Sequence, residues 1–161
     1  MFFINELQKI RNDNSGKIAV FIDMDGVVAD YRFGEGKNIE NNVPGTYLNK
    51  RPISTAINIL KEVNNAFDMY ILSSCRHDEQ AIEKSKWLEK NMPFIDKKHQ
   101  LFVVSNTFED RKMLKINKIK EIMENKYDKV IMIDDTHDIL FLAIKELGDK
   151  VIPYHVITLF D

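Results

Sequence analysis

Cysteine occurs once in the 161 residues, at Cys75, so no internal disulfide can form. That usage suits a reducing compartment, and a cytoplasmic location is expected. Four prolines and six glycines are too few for a collagen-like or linker-like chain, and there is no internal repeat or low-complexity tract. No apolar run approaches the roughly 18 residues that span a bilayer, so no membrane partner is expected. The opening MFFINELQKIRND meets charge at Glu6 and lacks a cationic lead, unlike a secretory leader. Neither sign of charge dominates: 23 Lys and Arg stand against 25 Asp and Glu, for a formal net charge of −2. A protein that binds a long polyanion by neutralising phosphates would be more basic, although a local contact with a nucleic-acid end stays open. His77, His99, His137 and His155 show no zinc-type spacing.

What is present is a chain with 44% hydrophobic residues, long enough to bury a core as one domain over 1–161. After an N-terminal helix (Ile4 to Ile10), strand and helix patterns alternate. KIAVFID (Lys17 to Asp23) is a β-branched apolar run ending in acid, as in a buried parallel strand. A polar insertion at about 31–50 follows, with Pro44-Gly45 as a turn signal. Ser54 or Thr55 then caps a helix with Ile57, Leu60, Val63 and Phe67 on one face. DMYILSS (Asp68 to Ser74) is a second strand, followed by a helix from about Asp78 to Asn91 with Ile82, Trp87 and Leu88 inward. QLFVVSN supplies a third strand, ending near Ser105. A helix carrying Leu114, Ile116, Ile119, Ile122 and Met123 precedes KVIMIDD (Lys129 to Asp135). A helix from Ile139 to Leu147 and a strand at Val151 to Tyr154 close the pattern. The fold class is α/β, with a mostly parallel sheet and helices on both faces.

Ligands of such sheets bind at the carboxyl ends of the strands, which directs attention to what stands there. Asp23 ends one strand, and Gly26 lets the chain bend so that Asp25 reaches the same pocket. Two carboxylates so close need a cation or a shared proton. Asp134 and Asp135 follow VIMI, and with Asp23 and the Asp25 backbone carbonyl they would make an oxygen-rich magnesium site. Capping of the last helix is the plainer role for that pair. Ser73 and Ser74 follow YIL, where hydroxyls and amides suit a phosphoryl oxygen, and Arg76 is a nearby clamp. Serines after strands also serve simply as turn residues. Lys115 lies near the expected start of its helix and would neutralise a transferring phosphoryl group, with Lys112 as its rival from the preceding loop. Cys75 reads as a small packing residue, and Tyr31, Phe33 and Tyr47 as one aromatic wall that would face a base or pack under the loop.

FIDMDGVVAD, ILSS, Lys115 and IMIDD, in that order, resemble the four motifs of the haloacid dehalogenase superfamily. From about Lys17 onward the likeness is to the 5′(3′)-deoxyribonucleotidase family. DMDGVVADY, PGTYLNKRPISTAINIL and EKSKWLEKNM are similar to segments of that family, with Gly45, Tyr47, Asn49, Pro52 and Ala56 at matching places. The resemblance implies a three-layer Rossmannoid sandwich and magnesium-dependent hydrolysis of nucleoside monophosphates through an aspartyl phosphate. In those terms Asp23 is the nucleophile, Asp25 the general acid/base, and Ser73 and Lys115 hold the phosphoryl oxygens. Ser74, Arg76 and Tyr47 bind substrate, and Asp23, Asp25, Asp134 and Asp135 bind the metal. Only about fourteen positions separate Asp30 from Pro44, so the cap is minimal compared with that family's. The helix between Lys115 and IMIDD looks more like polynucleotide phosphatase domains. A polynucleotide 3′-phosphatase, or a phosphatase of another small phosphoester, is therefore the alternative substrate reading. A receiver-like phosphoacceptor is the alternative of another class, and the order of the motifs disfavours it.

Overall fold

The computed structural model describes residues 2–30 and 44–161, so Tyr31, Phe33 and most of the short insertion lie outside the described residues. Helix α1 (Phe2–Asp13) leads into β1 (Ile18–Ile22), whose five residues are all buried. Then come α2 (Ser54–Val63), β2 (Asp68–Cys75), α3 (Asp78–Asn91), β3 (Gln100–Val104), α4 (Phe108–Met123), β4 (Lys129–Asp134), α5 (His137–Leu147) and β5 (Val151–His155). The five strands form one sheet in the order β3-β2-β1-β4-β5, every pairing parallel.

β1 is buried on both sides, which is why IAVFI is unbroken apolar sequence rather than an alternation. Ile18, Val20 and Ile22 pack with residues of α1, α2 and α3, including Phe3, Leu7, Leu60, Trp87 and Leu88. Ala19 and Phe21 face the opposite way, toward Ile116 and Ile119 of α4 and Leu140 and Ala143 of α5. The result is three layers. After β3 the chain crosses back over β2 and β1 to lay β4 on the far side of β1, so the two halves of the sheet are wound in opposite directions. The crevice at such a reversal opens at the carboxyl ends of β1 and β4.

Several local expectations are corrected. The residue before α2 is Ile53, and no side chain caps that end, so Ser54 and Thr55 lie inside the helix. Phe67 is buried but follows the helix, in the extended residue entering β2. Ile82 is exposed, because the inward stripe of α3 is Gln80, Lys84, Trp87 and Leu88. α4 begins at Phe108, with the Thr107 hydroxyl accepting from the Asp110 amide, so Lys112 is helical and not in a loop. Leu114 of that helix stays partly exposed.

The insertion leaves and rejoins this body at adjacent points. The Asp30 amide donates to the Arg51 carbonyl, the Ile53 amide to the Val28 carbonyl, and Ala29 bridges Pro52. No helix among the described residues is long and apolar enough to cross a membrane.

Candidate active site

β1 delivers Asp23 to the rim, where its amide donates to the Ile133 carbonyl of β4. The chain then folds into a tight loop in which the amides of Val27, Val28 and Ala29 converge on the Met24 carbonyl, while Met24, Val27, Val28 and Ala29 are buried. This anchors the turn from inside and leaves Asp25 facing the cavity. Gly26 adopts φ +80°, and a Cβ there would overlap the Asp135 carboxylate. Glycine is thus required both for the backbone conformation and for the approach of the β4 end.

Lys115, buried in α4, lies between two carboxylates: its ammonium is 2.8 Å from Asp23 Oδ1 and 2.8 Å from Asp134 Oδ2. Oxygens of Asp23, Asp134 and Asp135 lie within 4.8 Å of one another. Three carboxylates around one ammonium leave two negative charges, and every donor is a hard oxygen. That set fits a divalent cation such as magnesium. The Asp25 side chain is not among the three. The alternative of simple helix capping does not describe Asp134 and Asp135, since the residue preceding α5 is Thr136, whose side chain makes no capping bond. Asp134 is fully buried and accepts instead from the Thr136 amide at 2.9 Å.

Burial pushes the Asp23 carboxyl up to about 7, assisted by Asp134 and Asp25 and opposed by Lys115. Asp135 is raised for the same reasons, burial first and then Asp134. For Lys115 burial works downward, but its two aspartates prevail and hold the ammonium well above its ordinary value.

A second lysine, absent from the sequence reading, occupies the other side of Asp25. Lys84 of α3 has no exposed surface and donates to Asp25 Oδ2 at 2.6 Å, Ser73 Oγ at 2.8 Å and the Ser74 carbonyl at 2.8 Å. Lys50 reaches Asp25 Oδ1 at 2.7 Å, and both ammoniums sit 4.6 Å from the centre of the Tyr47 ring. Burial works to raise the Asp25 carboxyl, yet Lys84 and Lys50 outweigh it and bring it below its ordinary value. α3 also holds the returning end of the insertion. Glu83 accepts from the amides of Gly45 and Tyr47, and the Trp87 indole donates to the Lys50 carbonyl.

The cavity, about 330 Å³, is lined by Asp23, Asp25, Lys115 and Asp135 at its base and by Tyr47, Ser74 and Arg76 on one side. Phe108 and Arg111 of α4 also line it. Ser73 does not: it is buried and turned to Lys84, whereas Ser74 is the serine that faces the cavity. Lys112, the rival of Lys115, instead pairs with Glu109 at 2.8 Å and lies 3.9 Å from Asp138. Cys75 is buried, and burial raises its thiol, in keeping with a packing role. The signal that could have found Lys84 is its phase, four residues after Gln80 and three before Trp87 on the buried stripe of α3.

No protein-family profile matches the chain, and no curated protein matches it either. Solved structures do. A chain of the Pnkp1/Rnl/Hen1 complex superimposes with a TM-score of 0.65 at 18% identity over 89% of this chain. This chain spans only 47% of the length of that one. The class C acid phosphatase from Bacillus anthracis, solved with tungstate bound, matches at 0.61 and 16% identity, covering 99% of this chain and 80% of its own. A haloacid dehalogenase-like hydrolase from Burkholderia xenovorans gives 0.56 at 14% identity, over 85% of this chain and 80% of that one. The parallel sheet, its winding and these neighbours together establish that the chain has the haloacid dehalogenase-type fold.

Proposed function

We propose that this protein is a magnesium-dependent phosphomonoester hydrolase, a single phosphohydrolase domain working through an aspartyl phosphate on Asp23. One observation carries the reading. Among the described residues Lys115 supplies the one ammonium paired with Asp23, which shares it with Asp134 while Asp135 stands beside them, so these three carboxylates, when ionised, exceed it by two negative charges. A divalent ion would find there the oxygens it needs, and a phosphate ester would find Arg76 and Arg111 in the same cavity. Asp23, Asp134, Asp135 and the Asp25 carbonyl would hold the magnesium, which supplies charge neutralisation for the phosphoryl oxygens.

Asp23 attacks phosphorus in line, forming a P–O bond to its carboxylate as the bond to the leaving alkoxide breaks. Asp25 stands two residues on, placed to deliver a proton to that leaving oxygen and then to take one from the water that hydrolyses the aspartyl phosphate. Its lysine pair favours the carboxylate, the form the second half needs. The monoanion of a phosphate monoester, with a second pKa of about 6, can bring the proton used in the first. Lys115 stabilises the equatorial oxygens, and Ser74 and Arg76 bind them from the β2 side.

Nucleoside monophosphates are the first substrate class, with Tyr47 as part of the wall against the base and discrimination among bases below about a hundredfold, or ~2.7 kcal/mol. A second reading has its own support. Arg76 and Arg111 share the cavity with exposed Phe108, which suits a phosphoester carrying a further anionic group, such as an oligonucleotide 3′ end. The reducing environment suggested by a single buried cysteine fits cytoplasmic work on either class.

A panel of nucleoside monophosphates, small phosphoesters and 3′-phosphorylated oligonucleotides, assayed for released phosphate with magnesium and with chelator, tests the proposal. Turnover of at least one class is expected with magnesium alone, and Asp23→Asn should lower it by ~10⁴-fold or more. No release from any member, or undiminished release from Asp23→Asn free of deamidation, would overturn it.

A further inference from the structure

We propose that Lys84 is a positioning residue that sets Asp25 in place for the chemistry at Asp23, an inference that rests on the phosphohydrolase reading. The geometry excludes a direct role with substrate. An ammonium has three hydrogens to donate, and those of Lys84 go to Asp25 Oδ2, Ser73 Oγ and the Ser74 carbonyl, so none is left for a ligand. Its side chain is also sealed from the cavity, having no exposed surface.

What Lys84 does instead is tie two strand ends together. Asp25 belongs to the loop after β1, and Ser73 and Ser74 to the end of β2, which pairs with β1 through Ile22 and Ile71. The lysine spans the gap from a third element, α3, and fixes one oxygen of Asp25 relative to the strand whose next side chain, Ser74, lines the cavity. Lys50 fixes the other oxygen. With both oxygens held, the carboxylate cannot rotate, and an acid/base group must sit within hydrogen-bond reach of the oxygen it serves. An interior packing role alone does not account for the lysine, because leucine or methionine would fill the space beside Trp87 and Leu88 without the cost of desolvating a charge.

The test compares steady-state kinetics of the wild type with Lys84→Met, alone and combined with Asp25→Asn, on the best substrate of the panel. Lys84→Met should lower kcat by ~100-fold with KM within about threefold, because the reacting group is misplaced while the phosphate contacts remain. Adding Lys84→Met to Asp25→Asn should cost less than about threefold more, since the lysine acts through that carboxylate. Magnesium affinity by calorimetry should stay within about threefold of wild type. A purely structural lysine gives a different pattern: lower thermal stability, but near-wild-type kcat well below the transition. That pattern, or full additivity with Asp25→Asn, overturns the proposal. If Lys84→Met shows no cooperative unfolding transition, Lys84→Gln, which keeps a donor, takes the same measurements under the same criteria. If the wild type itself releases no phosphate, the phosphohydrolase reading fails, and this inference falls with it.

Discussion

The two ends of the sheet carry polar cavities of nearly equal volume, about 330 Å³ at the carboxyl end and about 340 Å³ at the amino end, and their chemistry is opposite. At the amino end the Tyr127 hydroxyl donates to Asp68 at 2.6 Å, Tyr70 and Tyr127 share a hydrogen bond of 2.8 Å, and Lys126 donates to the Tyr70 oxygen at 2.9 Å. The Lys17 amide is answered by Asp128. The Asp68 carboxylate and the tyrosine hydroxyls there are each met by another group of the protein. At the carboxyl end Asp23 and Asp134 share the Lys115 ammonium with Asp135 beside them, and Asp23 and Asp135 are driven toward protonation by burial. Cavity size does not separate the two; completeness does. A satisfied network stabilises a fold, whereas one short of cations is arranged for something that arrives from outside.

The difference can be broken at several points, most severely at the lysine that both carboxylates share. Lys115→Ala should lower kcat/KM by ~10³-fold, because it removes the cation that, among the described residues, pairs with Asp23. Lys112→Ala, which loses contacts to Glu109 and Asp138 and the approach of its ammonium to the Phe108 ring but none to the aspartates of the site, should stay within about threefold. The reverse ranking in kcat/KM would reassign the phosphate-binding role to Lys112.

A smaller effect concerns pH. The Asp23 carboxyl lies near 7 when folded, against an ordinary value of 3.8, so between these the native state holds a proton that the unfolded chain has lost. Stability from this group is therefore present at low pH and declines as pH rises through that window. In metal-free protein, Tm of the wild type relative to Asp23→Asn should fall by several degrees between about pH 5 and pH 8. Magnesium should recover it in the wild type but not in the variant. A pH-independent difference would show that Asp23 is not short of positive charge.

The least effect is expected at the far end. Tyr127→Phe removes a hydrogen-bonded hydroxyl, and should cost ~1–2 kcal/mol of stability in denaturant unfolding with turnover within about twofold. A large loss of turnover would mean that the two ends are coupled and that their contrast has been misread.

The carboxylates were legible in the sequence because each follows an uninterrupted apolar strand, and in a parallel sheet such strands must end on one rim. The strand limits are as legible: IAVFI and KVIMID match their runs closely. Lys84 was hidden by its own chemistry. A search for an inward face admits apolar residues, so it selects Ile82 and skips a lysine whose partner Asp25 lies 59 positions away. Lys112 and Lys115 were told apart by placing the start of their helix too late. The observed difference comes from their faces: Lys115 shares the buried side with Ile116 and Ile119, and Lys112 does not. Ser73 and Ser74 could not be separated from sequence, because adjacent strand residues point to opposite faces and only the sheet's orientation says which meets the cavity.

The junction at Asp30 and Arg51 has a consequence for engineering. The backbone bonds from Asp30 to Arg51 and from Ile53 to Val28 close the stem without using any residue between them, and α3 fastens the returning end through Glu83 and Trp87. The chain therefore leaves and re-enters the body through a socket whose walls belong to the core. Doubling the length of a segment closed in this way costs only about 0.6 kcal/mol of extra loop entropy. A segment joined at these two points begins and ends on backbone held by the core, so that substrate range could be grafted at this position as an interchangeable part.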